Sequence, residues 1–385
     1  MVCLVKYLGA TVGHAVLWVY AMNLLYSTAW PRPLLRVCRR ILEPLILSAP
    51  ILFYFGYGYE VSSAVVDVPW QQWLRAYGGF CCVLGLGVFP VVTVRRLLQK
   101  MPVALRSNHS TIVDMASSLG YPPRGRSKRR WMTYLPYNQV FEVEFSEKTI
   151  ALPNLPGEWE GLSILHLSDL HFCGTPDRRF FAAVIERCME QPPDLVAVTG
   201  DIVDSHHHHR WILPVLGKLK WRIAAFAILG NHDAWYDPRL SRRRIERLGI
   251  VDLGNSWTQI DVRGKPMVVI GNETPWFRPA PNLEGCPPDV FKLCLSHTPD
   301  NITWAKANGV DLLLAGHNHG GQIRFPLVGS VFVPSRFSRR YDCGTFEEQG
   351  VILHVSRGLG GQHPVRYHCR PEVTRLILTQ AASTS

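Results

Sequence analysis

The sequence has little charge, and acidic charge is especially scarce. Only 18% of its 385 residues are charged, whereas 47% are hydrophobic, and 41 lysines and arginines face 30 aspartates and glutamates. So little charge is unusual for a soluble protein of this size, and part of the chain is therefore expected to lie in lipid. The formal net charge of +11 favours an anionic partner, whether a nucleic acid, an anionic lipid surface or a phosphorylated substrate.

The sequence also lacks the cysteine pattern of a disulfide scaffold. Its ten cysteines are scattered, without a Cys-x-x-Cys pair, and several lie within apolar runs. Reduced, buried thiols have this distribution, so the main domain is expected to occupy a reducing compartment. A chain of this length has room for two domains, or for one domain with an appendage.

Three apolar runs occupy the first hundred residues. The first, Leu4 to about Tyr26, has the length that a bilayer core requires, and no small-residue cleavage site of a signal peptide follows it. The second, Leu45 to Tyr59, is short and contains two prolines, so a re-entrant or interfacial segment is the alternative to a span. The third covers Tyr77 to Val94. We therefore predict a membrane-anchoring region over residues 1–100 with one to three transmembrane segments.

The charges of the loops predict an orientation, since lysine and arginine are retained on the cytoplasmic side of a membrane. The first loop carries four arginines, the second carries Asp67 and one arginine, and many basic residues follow from Arg95 onward. With three spans, this pattern places the rest of the chain on the cytoplasmic side of the cytoplasmic membrane. An apolar helical domain packed on the remainder of the protein is the alternative.

A second domain is predicted after a connecting segment. Residues 101–133 are basic and contain proline and glycine, which is typical of a linker. From Val140 to Phe145 apolar and polar residues alternate, as they do in a half-buried strand. The soluble domain is therefore predicted over residues 134–385.

Five short apolar runs in this domain end abruptly in polar residues of metal-binding type. Runs of this length predict buried strands, so the polar residues are expected to lie together at the ends of neighbouring strands. In an extended segment, residues two apart face the same side and can address one metal ion. The residues that follow the five runs are Asp169-Leu170-His171, Gly200-Asp201, Gly230-Asn231-His232-Asp233, Ser296-His297 and Gly316-His317-Asn318-His319.

The order of these motifs resembles that of the calcineurin-like metallophosphoesterase superfamily, over about Leu162 to Gln322. Gly320-Gly321-Gln322, the stretch Val355 to Gly360 and the stretch Arg370 to Thr374 further resemble a membrane-associated bacterial branch of that superfamily. The resemblance implies an α/β fold in which a two-sheet β-sandwich is flanked by helices, here preceded by N-terminal transmembrane helices.

The resemblance also implies a site with two divalent metal ions. Oxygen and imidazole ligands without thiolate suit manganese, iron in either the Fe²⁺ or Fe³⁺ state, or zinc. His232 would face the substrate without binding metal, either as a general acid or as a hydrogen-bond donor to a phosphoryl oxygen. Seven ligands are implied: Asp169, His171 and His319 at one ion, Asn231, His297 and His317 at the other, and Asp201 bridging the two.

The enzyme so implied is a metal-dependent hydrolase of phosphoric esters or diphosphates. Two ions can clamp the attacking and leaving oxygens and supply a metal-bound hydroxide near neutral pH. Together with the apolar runs, this predicts a membrane-tethered phosphodiesterase or pyrophosphatase of lipid metabolism, with UDP-2,3-diacylglucosamine or another lipid-linked phosphate as substrate. The alternatives are a general phosphoesterase for nucleotides or phosphoproteins, and a non-catalytic metal-binding scaffold. No nucleic-acid partner is expected, because the sequence has no recognised motif for one.

Three other features have two interpretations each. The run His206 to His209 is either a solvated loop or a set of donors that overhangs the site. Arg336, Arg339 and Arg340 either form a solvated face or meet an anionic headgroup or a substrate phosphate. Arg357 is either solvated or able to reach the substrate.

Overall fold

A computed structural model describes residues 2–57 and 69–381. Tyr59, at the end of the second apolar run, and the loop residue Asp67 lie outside the described residues. By its internal contacts the chain divides into two compact units, of which the first contains Met1–Lys100 with Pro326–Arg340 and the second contains Met101–Phe325 with Tyr341–Ser385.

The first unit is helical. By length and composition, Leu4–Tyr26 and Gln72–Leu97 are apolar enough to cross a membrane. Two helices pack closely at Gly13, because a Cβ there would lie 1.7 Å from the main-chain oxygen of Cys81. The helical elements of the first unit are α1 (Val2–Tyr26), α2 (Arg32–Tyr57, with two internal prolines), α3 (Pro69–Cys82), a π-helical stretch (Val83–Val88) and α4 (Phe89–Leu97).

The first unit also includes a segment from far along the sequence, Pro326–Arg340. The side chain of Asn23 accepts a hydrogen bond from the Val333 amide at 2.9 Å. Arg96 donates to Ser330 Oγ at 3.2 Å and to the main-chain oxygen of Arg339 at 3.3 Å. These polar contacts place residues 326–340 with the helices, although the sequence had assigned them to the soluble domain.

The second unit contains two sheets. The seven-stranded sheet has the order β1-β2-β15-β3-β4-β5-β6, and the six-stranded sheet has the order β13-β14-β10-β9-β8-β7. The strands of the first are β1 (Leu105–Asp114), β2 (Glu142–Leu152), β3 (Leu162–Leu167), β4 (Leu195–Thr199), β5 (Ala224–Ile228), β6 (Val251–Asp252) and β15 (Glu372–Gln380). The strands of the six-stranded sheet are β7 (Trp257–Val262), β8 (Lys265–Asn272), β9 (Lys292–Ser296), β10 (Leu312–Ala315), β13 (Gly344–Glu348) and β14 (Val351–Val355). The short β11 (Arg324–Phe325) also belongs to the second unit, whereas the short β12 (Gly329–Ser330) lies in the segment Pro326–Arg340 of the first unit.

Residues 101–133 are more than the predicted linker, since they contain β1 and the short helix α5 (Met115–Leu119). β1 pairs antiparallel with β2, with Asp114 opposite Glu142. Pairing with β2 satisfies backbone groups that a linker would leave to water. The strand was missed because it lies at the edge of its sheet with most side chains exposed, so it lacks a regular apolar period.

Helices cover the outer face of the seven-stranded sheet. In α6, Asp177 caps the first turn by accepting a hydrogen bond from the Phe180 amide at 3.0 Å. The helix then buries Phe180 and Phe181 in one cluster with Val198 of β4. Burying each phenylalanine contributes about 1.5–3 kcal/mol. The helices on this face are α6 (Arg178–Cys188), α7 (Ile212–Leu216) and α8 (Pro238–Glu246), whereas α9 (Ile302–Ala307) contacts β14 of the six-stranded sheet.

A second apolar cluster joins the two sheets. It includes Ile164 and Phe226 of the first sheet and Leu293 and Leu312 of the second. This core makes the unit a two-sheet sandwich with flanking helices, which confirms the predicted fold class. β3, β4 and β5 run parallel in one sheet, and β9 and β10 run parallel in the other, so the carboxyl ends of each set share one sheet edge.

Candidate metal centre

The predicted site residues follow directly after five of these parallel strands. Asp169 and His171 follow β3, Asp201 follows β4, and the remaining residues follow β5, β9 and β10. Five of them have left-handed backbone with φ between 45° and 68°, a region that non-glycine residues rarely adopt. Such conformations persist where the surrounding structure enforces them, often at functional sites. The five are Asp169, His171, Asp201, His317 and His319.

A first group of potential ligands, called here the first half-site, consists of Asp169, His171 and His319. Their ligand atoms all lie within 4.8 Å of one another. The Nε2 atoms of the two histidines are 3.0 Å apart, and Asp169 Oδ1 is 3.5 Å from His319 Nε2. Asp169 and His171 are buried, so a cation could bind here largely shielded from water.

The second half-site consists of Asp201, His297 and His317, together with Asn231. The ligand atoms of the first three lie within 4.8 Å of one another. Asn231 Oδ1 is 3.0 Å from His297 Nε2. His317 Nε2 is buried and has no hydrogen-bond partner among the described residues, as expected for a nitrogen whose partner is a metal ion.

Asp201 lies between the half-sites. Its Oδ2 atom is 3.4 Å from His171 Nε2, and its Oδ1 atom is 3.3 Å from His297 Nε2. One carboxylate therefore directs a different oxygen at a histidine of each half-site, which is the arrangement that a bridging ligand needs. Its main-chain oxygen also accepts a hydrogen bond from the His171 amide at 2.8 Å, so the loops after β3 and β4 are held together.

Two glycines make room for these carboxylates. A Cβ at Gly230 would lie 2.2 Å from Asp201 Oδ1. A Cβ at Gly316 would lie 1.8 Å from Ser168 Oγ and 2.3 Å from Asp169 Oδ2. Any larger residue at either position would displace a carboxylate, so the glycines of both motifs are required by close approach to the ligands.

His232 is oriented by a carboxylate that the sequence had not singled out. Asp204 accepts a hydrogen bond from His232 Nδ1 through Oδ1, and its Oδ2 atom is 3.1 Å from His171 Nδ1. Each imidazole is thereby fixed with its Nε2 atom available to the site. The His232 ring also packs 4.6 Å from that of Trp235, and its side chain is 14% exposed, so it lies at the mouth of the centre.

The charges of the centre support one another. Burial alone would raise the pKa values of Asp169, Asp201 and Asp204, but neighbouring histidines hold all three well below the usual range. Burial likewise opposes the charging of His171, yet Asp204 and Asp169 raise its pKa well above the ordinary value. These carboxylates therefore stay ionised, which is the form that binds a cation.

The pKa values of the other three histidines are shifted in different directions. Burial tends to lower the pKa of His297, but Asp201 raises it to about 9. Burial lowers the pKa of His317 to about 3, with His297 adding to the shift, and burial also holds the pKa of His319 well below its usual range. Neutral His317 and His319 are ready to donate a lone pair to a metal ion. The donor set of carboxylates, imidazoles and one amide fits two divalent cations.

Two further residues escaped the sequence analysis. Arg366 is fully buried and donates to the main-chain oxygens of His319 at 3.2 Å, Arg357 at 2.9 Å and Gly360 at 2.6 Å, so it joins two loops beside the first half-site. Trp276 packs its ring 4.7 Å from that of His317. Neither carries a local signal, whereas Asp204 follows Asp201 by three residues and could have been found from that spacing.

The structure decides two interpretations that the sequence left open. Arg357 forms ion pairs within the protein, since its guanidinium lies 3.0 Å from Glu372 and 2.9 Å from Glu144. The histidine run is only partly solvated: His206 is exposed, whereas His209 is buried.

Comparisons with known proteins agree with this geometry. The model of the calcineurin-like phosphoesterase family matches residues 162–321. The "Phosphodiesterase YaeI" of Escherichia coli (strain K12) is 34% identical over 223 residues, which cover 56% of this chain and 81% of that protein. The chain belongs to this family.

Two other relatives, both named for a metallophosphoesterase, extend the comparison. The "Uncharacterized metallophosphoesterase YkuE" of Bacillus subtilis (strain 168) is 28% identical over 254 residues, covering 64% of this chain and 88% of that protein. The "Transmembrane protein with metallophosphoesterase domain" of Danio rerio is 26% identical over 271 residues, covering 63% of this chain and 58% of that protein. The predicted resemblance to the superfamily, with bacterial and transmembrane-associated members, is confirmed.

Proposed function

We propose that this phosphoesterase is a membrane-tethered dimetal hydrolase that cleaves a phosphodiester or diphosphate. The observation that carries the proposal is the position of Asp201, whose two oxygens face His171 and His297 of different half-sites. When bound, two divalent cations supply a water of lowered pKa and offset the charge of the phosphoryl oxygens. The family favours a phosphoester substrate, and the seven residues implied by the sequence are proposed as the ligands.

The residues of the chain have separate tasks in this reaction. Asp169 and Asp201 keep buried negative charge where the cations bind, and Asp201 spans both positions. Asp204 accepts a hydrogen bond from His232 Nδ1–H, which leaves His232 Nε2 to act toward the substrate. A proton on that Nε2 atom can pass to the leaving oxygen or form a hydrogen bond to a phosphoryl oxygen. Trp276 packs its ring against the rings of His317 and His297 in the second half-site.

The membrane part of the proposal rests on the helical unit. Leu4–Tyr26 and Gln72–Leu97 have the length and composition of membrane spans, and one relative is named as a transmembrane protein. Tethering raises the local concentration of a membrane substrate, which favours a lipid-linked diphosphate such as UDP-2,3-diacylglucosamine over a soluble ester. The loop charges favour the cytoplasmic side of the cytoplasmic membrane for the catalytic unit.

The substrate class can be tested with full-length protein in detergent. Manganese-dependent hydrolysis of bis-p-nitrophenyl phosphate should be compared with that of a panel of lipid diphosphates, with release of UMP from UDP-2,3-diacylglucosamine as one readout. We expect a higher kcat/KM for a lipid diphosphate than for the soluble diester. Turnover of the soluble diester alone would instead support a general phosphoesterase.

A scaffold is distinguished from an enzyme by Asp201→Ala. In an enzyme, this substitution should abolish turnover and lower metal content together, because Asp201 faces both half-sites. The matched control is Asp261→Ala, which removes an exposed carboxylate in β7 and should leave both quantities unchanged. Metal content well below two ions per chain in the unaltered protein would contradict the dimetal assignment.

A further inference from the structure

The second unit presents basic and aromatic side chains together on residues 124–137. Three large aromatic side chains in this segment are exposed, Trp131 by 58%, Tyr134 by 59% and Tyr137 by 90%. Soluble surfaces seldom expose so much aromatic area in one short segment. Arg126, Lys128 and Arg130 are exposed between and beside them. These six residues are called the basic-aromatic face.

The face has charge of one sign. Between Tyr121 and Phe141 the sequence contains five lysines and arginines and no aspartate or glutamate. Arg124 stacks its guanidinium 4.3 Å from the centroid of the Tyr134 ring, and Arg130 lies 3.4 Å from the Tyr134 hydroxyl. Aromatic rings and cations therefore form one surface, and an anionic partner would meet no repulsion from acidic residues in this segment.

The face is fixed beside the metal centre. The Arg126 amide donates to the main-chain oxygen of Gly174 at 2.8 Å, and Gly174 follows His171 by three residues. A Cβ at Gly125 would lie 1.8 Å from that same oxygen, so the two loops are in direct contact. Arg129 donates to the main-chain oxygen of Gln362 at 3.2 Å. A partner bound on this face would thus lie next to the first half-site.

We propose that the basic-aromatic face binds an anionic lipid bilayer and so forms a second membrane contact besides the helices. Tryptophan and tyrosine favour the interfacial region of bilayers, because one end of each ring system is apolar and the other is polar. Each lysine or arginine near an anionic surface adds about a fivefold factor in affinity. This inference rests on the proposed function only for the presence of a membrane. It deepens that function by placing the lipid headgroups beside the metal centre.

An anionic bilayer fits this face better than single-stranded nucleic acid, the other anionic partner that basic and aromatic side chains suggest. Single-stranded nucleic acid uses stacked aromatics within a basic groove. Here the exposed aromatics stand on one short segment, and Arg126 follows Leu97, the end of an apolar helix of spanning length, by 29 residues. Continuity along the chain therefore favours the lipid surface, and nucleic acid becomes an outcome of the test.

The experiment uses full-length protein in bilayer discs of phosphatidylcholine, with or without phosphatidylglycerol as the anionic lipid. Hydrogen–deuterium exchange of peptides covering residues 124–137 should slow by about fivefold or more in the anionic discs, and high salt should reverse the effect. The charge variant combines Arg126→Ser, Lys128→Ser and Arg130→Ser and should lose the protection. A Trp131→Ala and Tyr137→Ala variant should weaken it and retain the salt dependence.

The matched control combines Arg239→Ser, Arg243→Ser and Arg247→Ser, which removes the same charge from exposed positions on and just after α8. This control should keep the lipid-dependent protection. Equal exchange in both kinds of disc, or equal loss in both triple variants, would overturn the proposal. So would a single-stranded oligonucleotide that protects the segment as strongly as the anionic bilayer does.

Hydrolysis of bis-p-nitrophenyl phosphate separates this inference from the proposed function. The charge variant should turn over this soluble diester as the unaltered protein does, because none of its three residues lies among the proposed ligands. If the unaltered protein fails to hydrolyse any phosphoester, the proposed function is wrong, while the exchange experiment still decides the lipid contact.

Discussion

Both half-sites use carboxylate and imidazole side chains, and the second adds the amide of Asn231, but their histidines are supported differently. In the first, His171 Nδ1 meets the carboxylate of Asp204, which also holds His232. In the second, His297 Nδ1 donates to a main-chain oxygen, that of Thr199, at 2.8 Å. A side-chain support can be altered by one substitution, whereas a main-chain support cannot. Through Asp204, the first half-site is therefore linked to His232, the residue proposed to face the substrate, whereas the second half-site is held by the main chain of β4.

Among variants that alter one half-site, the largest loss is expected from Asp169→Asn, which removes the carboxylate assigned to the first half-site alone. Turnover of bis-p-nitrophenyl phosphate should fall by more than about 10³-fold, a loss above that of a single electrostatic contact to a transition state. Metal analysis should show one ion lost and the other retained. Loss of both ions would show that the half-sites do not bind independently and would remove the contrast between them.

His232→Gln should lower kcat by about 10²–10³-fold while leaving both ions in place, because His232 is proposed to act toward the substrate and not as a metal ligand. The measurement is kcat together with metal content in the same preparation. If the substitution also removes an ion, His232 is a ligand and the division of roles is wrong.

Asp204→Asn tests the side-chain support directly. We expect metal affinity at one site and turnover to fall by about 10–100-fold, the usual cost of losing the carboxylate behind a metal-binding histidine. The second ion should remain, and kcat should fall further than metal loss explains, since His232 loses its partner as well.

The control for that variant lies in the second half-site. Thr199→Val changes the side chain and keeps the main-chain oxygen that His297 Nδ1 uses. Its metal content should equal that of the unaltered protein. A loss of metal comparable to that of Asp204→Asn would show that both half-sites depend on side-chain support.

The last prediction concerns the stability of the metal-free protein, which should depend on pH, and it involves no change in the turnover of the metal-loaded enzyme. Burial disfavours the charged form of His297, but Asp201 raises its pKa to about 9, above the ordinary 6.5. The stabilisation is therefore complete below pH 6.5 and is lost as pH rises through about 9, by up to about 3 kcal/mol. Thermal unfolding in chelator and detergent should show this fall, and His297→Gln should reduce it. An unchanged slope in the variant would contradict the assignment.

The eight candidate site residues could be proposed from the sequence because each follows a short apolar strand, and the resemblance then assigned a role to each. Residues such as Arg366 and Trp276 could not be found this way. Arg366 acts through main-chain oxygens of residues up to 47 positions away, and no local pattern records such contacts. The edge strand β1 could not be predicted either, because its side chains are mostly exposed and show no apolar alternation. Its extended conformation comes from pairing with β2.

Local sequence patterns were enough to predict the family, the sandwich and the motifs of the candidate metal centre, because buried strands and metal-binding side chains leave strong signals. The folded structure was needed to show which carboxylate supports which histidine, that Arg357 pairs with Glu372 and Glu144, and that residues 326–340 belong with the helices. These outcomes depend on contacts between residues distant in sequence. Such contacts are stabilised by burial and by pairing of polar groups in the folded protein, and the periodicity of apolar residues along the sequence does not reveal them.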